Sequence, residues 1–447
     1  MMQQIQHIAR SVVTGAQTDI DGVPGTAGSR RRTSGTRASG KGARGLAADE
    51  LRRHNLSAVL ERLHLLGPGS RSELTAMTGL NRSTIADLIG ELVGLGLAEE
   101  GPAAAASGPG RPSPVVSIRQ DGALVLAVEM EVDSIAVATI GLGGHVYSLT
   151  RRTRTRGVME PEEVAHAVRA LADPLLRSLP PHGMFAGIGV AVAGVTRRSD
   201  GFVHLAPNLG WRDVPLAEIL SPVFGGCSPV AVANEADLGA LGEHRRGVRP
   251  GVAHLLYVSG EAGIGAGVII DGKPLLGSAG YAGEAGHMTV NPGGHECQCG
   301  SVGCWETEAG EAALLRHAGS AGDATGFEAV DAVLKRAAAG DPAALGGLHE
   351  VGRWLGLGIG NLVNIFNPQL VVLGGLYQRL FPFIEEVVVT AAASKALAAP
   401  GHGVTIAASG LGADAALVGA AELVLSPLIA DPAGFTSPRT DAPVAGD

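Results

Sequence analysis

The chain has 447 residues, which is too long for one ordinary domain, so we expect two or three. About 45% of its residues are hydrophobic but only 3% are aromatic, so its cores must rely on Leu, Val, Ile and Ala. Only four Cys and no long uncharged apolar run argue against a disulfide-stapled secreted fold and a membrane span. No apolar secretory segment opens the chain, and we expect a cytoplasmic protein.

The charge is unevenly distributed along the chain, whose net value is −9. Residues 1–119 carry 14 Lys and Arg against 10 Asp and Glu, so the acidic excess lies in the remainder. A basic front end on an acidic body favours nucleic-acid contact through the front end. A disordered leader explains part of this excess, because residues 1–48 are rich in Gly, Ser, Thr and Arg without apolar periodicity. The leader is either an arm attracted to DNA or the product of a start codon assigned too early, and we favour the latter.

Three helices are predicted between residues 49 and 100. Apolar residues recur at helical spacing from Leu56 to Leu63. The sequence Ser70-Arg71-Ser72-Glu73 is a capping box that opens a second, short helix. Asn81 can cap a third helix, and a short strand is predicted over 115–118.

This order of helices, followed by a strand pair, is typical of a winged helix-turn-helix. The third helix would enter the major groove of DNA, and Arg71 would hold the phosphate backbone. A three-helix module that binds no DNA is the alternative, but the capped second helix and the polar start of the third favour DNA. The residues of the third helix predicted to contact DNA are Arg82, Ser83, Thr84 and Asp87.

A Pro/Gly-rich segment follows the third helix and contains Gly110-Arg111-Pro112. An Arg held extended before a Pro can enter a narrow, A·T-rich minor groove. The same three residues can also be a plain linker, and the sequence does not decide between the two.

From Asp121 the pattern changes to alternating strands and helices, which predicts an α/β fold. Helices are predicted over 161–178 and 351–366. The predicted strands cover 124–128, 135–140, 187–192, 230–233, 254–258, 267–270 and 370–373.

Three of the four Cys lie within eight residues and follow a His, in the order His287, Cys297, Cys299, Cys304. Three thiolates and one imidazole make a closed tetrahedral zinc site of the structural type. His295 is a competing ligand, and a cluster of free thiols is the other alternative. Four protein ligands leave no open position, so metal-assisted hydrolysis is not expected.

Several motifs resemble the ROK family, which contains sugar-responsive repressors, uncharacterised open reading frames and sugar kinases. They are Gly263-Ile264-Gly265-Ala266-Gly267, Gly283-Glu284-Ala285-Gly286-His287, Gly303-Cys304-Trp305-Glu306 and the segment from Asn367 to Gly375. The resemblance runs from about residue 121 to about residue 425. It implies two α/β lobes of the actin/hexokinase (ribonuclease H-like) type, and the front end looks like the winged helix of the repressor branch.

The resemblance also implies a set of sugar contacts. His287 would bind zinc through one ring nitrogen and sugar through the other, so that zinc orders the sugar loop. The residues that match the sugar contacts of the family are Asn208, Asn234, Glu235, Glu284, His287 and Glu306.

Two departures from the family pattern argue against phosphoryl transfer. Glu235 stands where the family kinases carry the Asp that acts as base, and its side chain is one methylene longer. The segment from Glu129 to Ser134 replaces a phosphate-binding Asp-x-Gly-Gly-Thr loop, contains no Gly and brings three acidic residues. The glycines from Gly263 to Gly267 are expected to form a turn between strands rather than an ATP loop.

The sequence therefore predicts a sugar-responsive DNA-binding regulator, most simply a repressor of carbohydrate genes, and not an enzyme. An active ATP-dependent sugar kinase is the alternative, and a regulator with a vestigial cleft is a third. The expected partners are an operator duplex, a sugar or sugar-phosphate effector, and a second copy in a homodimer or dimer of dimers. The predicted domains are a disordered basic extension (1–48), a winged helix-turn-helix (49–119), a ROK domain (120–431) and a disordered tail (432–447).

Overall fold

The computed structural model describes residues 41–103, 113–180, 182–226, 228–320 and 325–435. Arg111, residues 1–40 of the predicted extension and residues 436–447 of the predicted tail lie outside these ranges. The helices are α1 (Lys41–Leu66), α2 (Arg71–Thr78), α3 (Arg82–Gly94), α4 (Pro161–Arg177), α5 (Leu216–Val223), α6 (Glu235–Arg246), α7 (Trp305–Ala309), α8 (Glu311–His317), α9 (Phe327–Ala338), α10 (Pro342–Phe366), α11 (Leu376–Lys395), α12 (Ala398–Gly401) and α13 (Ala415–Ala430).

The strands belong to four sheets. They are β1 (Gly69–Ser70), β2 (Ala98–Ala103), β3 (Pro114–Ile118), β4 (Leu124–Met130), β5 (Ser134–Gly141), β6 (Val146–Thr153), β7 (Phe185–Val192), β8 (Val195–Arg197), β9 (Phe202–Ala206), β10 (Trp211–Val214), β11 (Val230–Asn234), β12 (Leu255–Gly260), β13 (Ile264–Ile270), β14 (Lys273–Pro274), β15 (Leu370–Gly375) and β16 (Thr405–Ala408).

The helices α1, α2 and α3 are followed by β2 and β3 of the antiparallel sheet β1-β3-β2, which is the order of elements that the winged-helix prediction requires. The capping box is present, because Ser70 Oγ accepts from the Glu73 N–H at 3.2 Å and Glu73 accepts from the Ser70 N–H at 2.7 Å. Asn81 Oδ1 accepts from the Thr84 N–H at 2.9 Å and starts α3. Both caps follow the prediction, because each depends on residues only a few positions apart.

The first helix differs from the prediction at its start. It begins at Lys41, inside the segment predicted to be disordered, and not near Asp49. Neither proline nor a β-branched residue stands between Lys41 and Leu56, so local propensity does not stop the helix there.

The first lobe surrounds a five-stranded sheet of order β11-β7-β4-β5-β6. Strands β4, β5 and β6 form an antiparallel meander, and β7 and β11 run parallel to β4. Helices α4 and α5 cover one face and α13 covers the other. Strand β4 is buried along its whole length between these layers, which explains why all of its residues except Glu129 are apolar.

The second lobe repeats this plan with the order β14-β13-β12-β15-β16. Here β12, β13 and β14 form the meander, and β15 and β16 run parallel to β12. Helix α6 packs on one face and helices α7 to α11 pack on the other. Two lobes of the same topology are the predicted actin/hexokinase-like fold.

Two helices, α6 and α13, lie back to back between the two sheets. Their backbones touch, because a Cβ at Gly242 would collide with the carbonyl oxygen of Ala415 and a Cβ at Gly419 with that of Leu238. Helix α13 also approaches the first sheet closely, since a Cβ at Gly189 would meet the carbonyl oxygen of Ala420. The contact between the lobes is therefore a tight pair of helices without intervening side chains.

The glycine-rich segment does not form the predicted turn. The turn is limited to residues 261–263, where the Glu261 N–H donates to Gly263 O, and β13 begins at Ile264. Gly265 and Gly267 are strand residues that let α6 approach, because a Cβ at either would collide with Ala236. These two glycines allow α6 to pack closely on the sheet, and no local sequence pattern reveals this role.

One helical stretch, Gly412–Ala430, is long and apolar enough to cross a membrane by length and composition. About 67% of it is buried inside the protein, and it carries Glu422 in the interior. We therefore assign it to the core between the lobes.

Candidate functional site

A narrow cavity between the lobes brings together part of the predicted sugar set. Asn234 and Glu284 line it, with the backbone of several glycines between them. Asn234 is fixed in place, since its Oδ1 accepts from the Ala236 N–H at 2.8 Å and its Nδ2 donates to Gly194 O at 2.9 Å. The side chain thus caps α6 and faces the cavity from the end of β11.

Asp237 lines the same cavity and was not predicted. Burial raises the pKa of its carboxyl to about 7; the charge of Arg198 opposes this rise and Glu284 adds to it. Its side chain has no hydrogen-bond partner within the described ranges. Its place one helical turn after Asn234 is the signal that would have found it.

Glu284, His287 and Glu306 meet at one side of the cleft. His287 Nε2 lies 3.9 Å from Glu284 Oε2, and His287 Nδ1 lies 3.6 Å from Glu306 Oε1. The Cys297 thiol donates to Glu306 Oε1 at 2.9 Å. The two ring nitrogens therefore face different neighbours: Nε2 faces the carboxylate of Glu284, and Nδ1 faces the cysteines.

Asn208 is not brought into the cavity. It lies in a one-turn 3₁₀ segment, Pro207–Leu209, in the first lobe and is not among the residues that line the cavity. A contact between Asn208 and sugar stays a prediction.

The four predicted metal ligands converge. Their ligand atoms all lie within 4.8 Å of one another. Cys299 Sγ and Cys304 Sγ are 3.6 Å apart, and Cys297 Sγ is 3.7 Å from His287 Nδ1. A tetrahedral zinc ion with Zn–S bonds of about 2.3 Å requires S–S edges of about 3.8 Å. The donor set and its spacing fit zinc, whereas His295 lies outside the cluster among the residues described.

A second group of charged residues surrounds the segment from Glu129 to Ser134 and is paired within the chain. Arg151 of β6 lies 3.2 Å from Glu129, 3.3 Å from Glu131 and 3.3 Å from Asp414. These contacts place a guanidinium against the acidic segment that replaces the phosphate loop. Nearby, Arg156 contacts Asp133 at 3.2 Å and forms a bidentate pair with Glu311 of the second lobe.

Carboxyl groups crowd this half of the cleft. Burial raises the pKa of Glu129 well above its ordinary value, and neighbouring Glu131 raises it further. Burial raises the pKa of Glu235 to about 8, with Glu131 as the second cause. Glu261 has a raised pKa for the same reasons, burial first and Glu235 next.

The start of α3 presents the predicted DNA-contacting side chains. Arg82, Ser83 and Asp87 are exposed, whereas Thr84 is half-buried. Arg71 is held by Glu100 of β2 through two bonds of 2.6 Å, so its fork is already occupied by a carboxylate. An Arg71–phosphate contact would require Glu100 to give way.

Comparison with known proteins identifies the chain. The ROK family profile matches residues 125–426, which is more than half of the sequence. The chain belongs to the ROK family. The xylose repressor of Bacillus subtilis strain 168 is 30% identical over 373 residues, covering 83% of this chain and 94% of that relative.

Two solved ROK structures share the fold. A ROK family transcriptional regulator that is a homologue of the E. coli MLC protein superposes with a TM-score of 0.69 at 24% identity, covering 86% of this chain and 98% of that one. A ROK family glucokinase from Streptomyces griseus, solved with glucose and AMPPNP, superposes with a TM-score of 0.59 at 27% identity, covering 67% and 98%. The regulator thus aligns with more of this chain than the kinase does.

The prediction of a ROK family, sugar-responsive transcriptional regulator is confirmed by these comparisons. The family also contains kinases, so membership alone does not decide whether this chain has catalytic activity. Sequence reasoning missed Asp237, although its position three residues after Asn234 is a local signal, and it missed Arg151, because the partners of Arg151 are distant in the sequence.

Proposed function

We propose that this ROK protein is a repressor that binds a sugar in its interlobe cleft, binds operator DNA through α3, and does not phosphorylate the sugar. The contrast between the two halves of the cleft carries this proposal. Glu284, His287 and Glu306 converge with exposed polar atoms on one side, whereas Arg151 and its acidic partners occupy the other.

Glu235 supports the absence of kinase activity. A general base must be ionised to take a proton from a sugar hydroxyl. Burial raises the pKa of Glu235, which favours the protonated form of this carboxyl in the folded chain. Its longer side chain and the missing phosphate loop act in the same direction.

For the ligands, we propose a structural zinc ion held by His287, Cys297, Cys299 and Cys304, which supplies no chemistry beyond fixing the sugar loop. The sugar contacts would be Asn234, Asp237, Glu284, His287 and Glu306, with Glu235 and Asn208 at the edges. Because the Bacillus relative is a xylose repressor, D-xylose is the first effector to test.

For DNA, we propose that Arg82, Ser83, Thr84 and Asp87 read the major groove, with Arg71 and Arg111 on the phosphate backbone and the minor groove. Two copies in a homodimer, or a dimer of dimers, would match a two-fold operator. Such a protein acts where the DNA is, which we expect to be the cytoplasm.

The test combines three measurements on the full chain. Calorimetry with D-xylose, D-glucose and N-acetylglucosamine should give heat for at least one sugar. ATP-dependent phosphorylation of the same sugars should be absent; robust turnover that is lost in Glu235→Ala would establish the kinase instead.

The third measurement concerns DNA. A duplex that the wild-type protein selects from a random-sequence pool should bind Arg82→Ala about tenfold to a hundredfold more weakly. Arg353→Ala, on the exposed face of α10, is the control and should bind as wild type. Equal affinity of both variants would refute the placement of the recognition helix.

A further inference from the structure

Helix α6 extends from the sugar cavity to the winged-helix domain. Its first turn is capped by Asn234 and contains Asp237, both of which line the cavity. Its last turn carries Arg245 and Arg246, which contact α1. Twelve residues at about 1.5 Å each span about 18 Å, so one rigid element joins the two sites.

The far end of α6 meets a buried side chain of α1, His64. His64 Nε2 lies 2.8 Å from Glu422 Oε2, and both residues are at most 2% exposed. The Gly143 N–H donates to His64 Nδ1 at 3.0 Å, so the ring proton is on Nε2 and is donated to Glu422. Arg246 donates to His64 O at 2.6 Å and to Glu422 Oε1 at 2.9 Å. Arg246 Nη2 is 2.5 Å from His64 Nε2, which is a close approach of two donors and not a hydrogen bond.

This cluster is assembled from two different helices. Arg246 comes from α6, whose other face packs on the second lobe through Gly265 and Gly267. Glu422 comes from α13, whose other face packs on the first lobe. A change in the angle between the lobes would shift α6 relative to α13, and such a shift would alter how Arg246 and Glu422 hold His64.

The position of His64 bears on the DNA-reading helix. The apolar face of α1 shares one core with α3, through Leu60 and Leu63 on α1 and Leu88 and Leu92 on α3. A displacement at the end of α1 is therefore passed to α3 by close packing. Arg245 adds an outer contact with α1, since it lies 2.9 Å from Glu61.

We propose that Arg246 and Glu422 are positioning residues that couple sugar occupancy to operator affinity through His64. They touch neither sugar nor DNA. The inference rests on the proposed function and adds the route between its two sites. A merely structural anchor would support operator binding equally with and without sugar, whereas a coupling pair changes the ratio between the two.

The experiment measures operator affinity with and without saturating D-xylose, using the selected duplex and the full chain. Wild type should show a ratio within the range of about 5-fold to 150-fold that is usual for coupled sites. Glu422→Gln keeps the shape but removes the charge, and the ratio should fall to within about twofold of one. D-Xylose affinity without DNA should stay within about threefold of wild type, because the cavity lies at the other end of α6.

Arg246→Lys is the second variant, because Glu422→Gln weakens the buried acceptor of two donors and so puts folding at risk. Lys keeps the charge but lacks the planar guanidinium that donates to His64 O and Glu422 at once. The ratio of operator affinities with and without D-xylose should therefore fall here too. Glu350→Gln removes a carboxylate from an exposed ion pair on α10 and should keep the wild-type ratio. Hydrogen exchange at residues 61–67 should respond to D-xylose in wild type but not in Arg246→Lys.

A wild-type ratio in a folded Glu422→Gln or Arg246→Lys variant overturns the inference while the proposed function stands. An equal loss of operator affinity with and without D-xylose, at an unchanged ratio, overturns it as well and makes the cluster a structural anchor. No effect of D-xylose, D-glucose or N-acetylglucosamine on operator binding by the wild type overturns the proposed function itself, and the coupling with it.

Discussion

The two halves of the cleft differ in how their carboxyl groups are paired. On the proposed sugar side, Asp237 lines the cavity without a hydrogen-bond partner among the described residues, and Glu284 lies 3.9 Å from His287. On the nucleotide side, Glu129 and Glu131 are matched by Arg151. Polar groups left without internal partners are suited to receive a ligand, whereas groups paired within the chain stabilise the fold. The difference is what the proposed function predicts, with one half for recognition and the other for structure.

Loss of the proposed zinc ion should have the largest effect on the sugar side of the cleft. Cys304→Ser removes a fully buried ligand, so we expect loss of bound zinc and a 10- to 100-fold weaker affinity for D-xylose. Elemental analysis and calorimetry measure both. His295→Asn is the control and should keep its metal, since His295 lies outside the ligand cluster. Zinc retained by Cys304→Ser at full stoichiometry would show that the ligand set is wrong.

Matched substitutions in the two halves should separate them next. Glu284→Gln removes the charge and replaces one carboxylate oxygen by an NH₂ donor, so affinity for D-xylose should fall about 10- to 100-fold. Glu131→Gln removes a carboxylate from the Arg151 cluster and should leave sugar affinity unchanged. Calorimetry on both variants makes the comparison. Similar losses in the two would mean that the halves are not functionally distinct.

The pH dependence of the free energy of unfolding should show whether the Asp237 carboxyl is buried and protonated. The folded chain holds the Asp237 proton up to about pH 7, whereas an ordinary Asp releases it near 3.8. The folded state therefore binds more protons between these values, and this contribution to stability is lost as the pH rises from about 4 to about 7. The full difference corresponds to about 4 kcal/mol as an upper figure.

Asp237→Asn removes this titration, so its free energy of unfolding should gain on wild type as the pH rises. Urea unfolding at about pH 5 and about pH 7.5 measures the gain. Asp271→Asn, at an exposed carboxyl, is the control and should follow wild type. Parallel curves for wild type and Asp237→Asn would contradict the burial of this carboxyl.

The smallest effect is expected from nucleotide. Adding Mg-ATP should give no measurable shift in melting temperature, because Arg151 already fills the phosphate side. D-Xylose in the same assay should raise the melting temperature by mass action. A clear stabilisation by Mg-ATP would show that the acidic cluster opens to phosphate.

Local signals predicted the fold best. The caps at Ser70 and Asn81 follow from residues three positions apart, and the metal ligands are a short spaced motif. Gly265 and Gly267 were misinterpreted, because their role depends on Ala236 on another element. The start of α1 was placed too late, because the composition of residues 1–48 outweighed the helical propensity of its last residues.

The candidate site was predictable only as far as the family motifs reach. Asn234, Glu284, His287 and Glu306 stand in those motifs, whereas Asp237 became visible through its place on α6. The His64–Glu422 contact joins residues 358 positions apart and has no sequence signature. Pairs of that kind arise from tertiary packing, and a single sequence does not encode them in any periodic pattern.

One apolar core contains residues of α1, such as Leu56, and residues of α13, such as Leu428. This shared core bears on how such regulators can be re-engineered. A core shared in this way makes the DNA-reading segment part of the same cooperative unit as the first lobe. Transplanting that segment onto another family member would therefore need the matching surface of α13 to travel with it. Exchange of the exposed α3 residues alone would retarget the protein to a new duplex and leave the core shared with α13 intact.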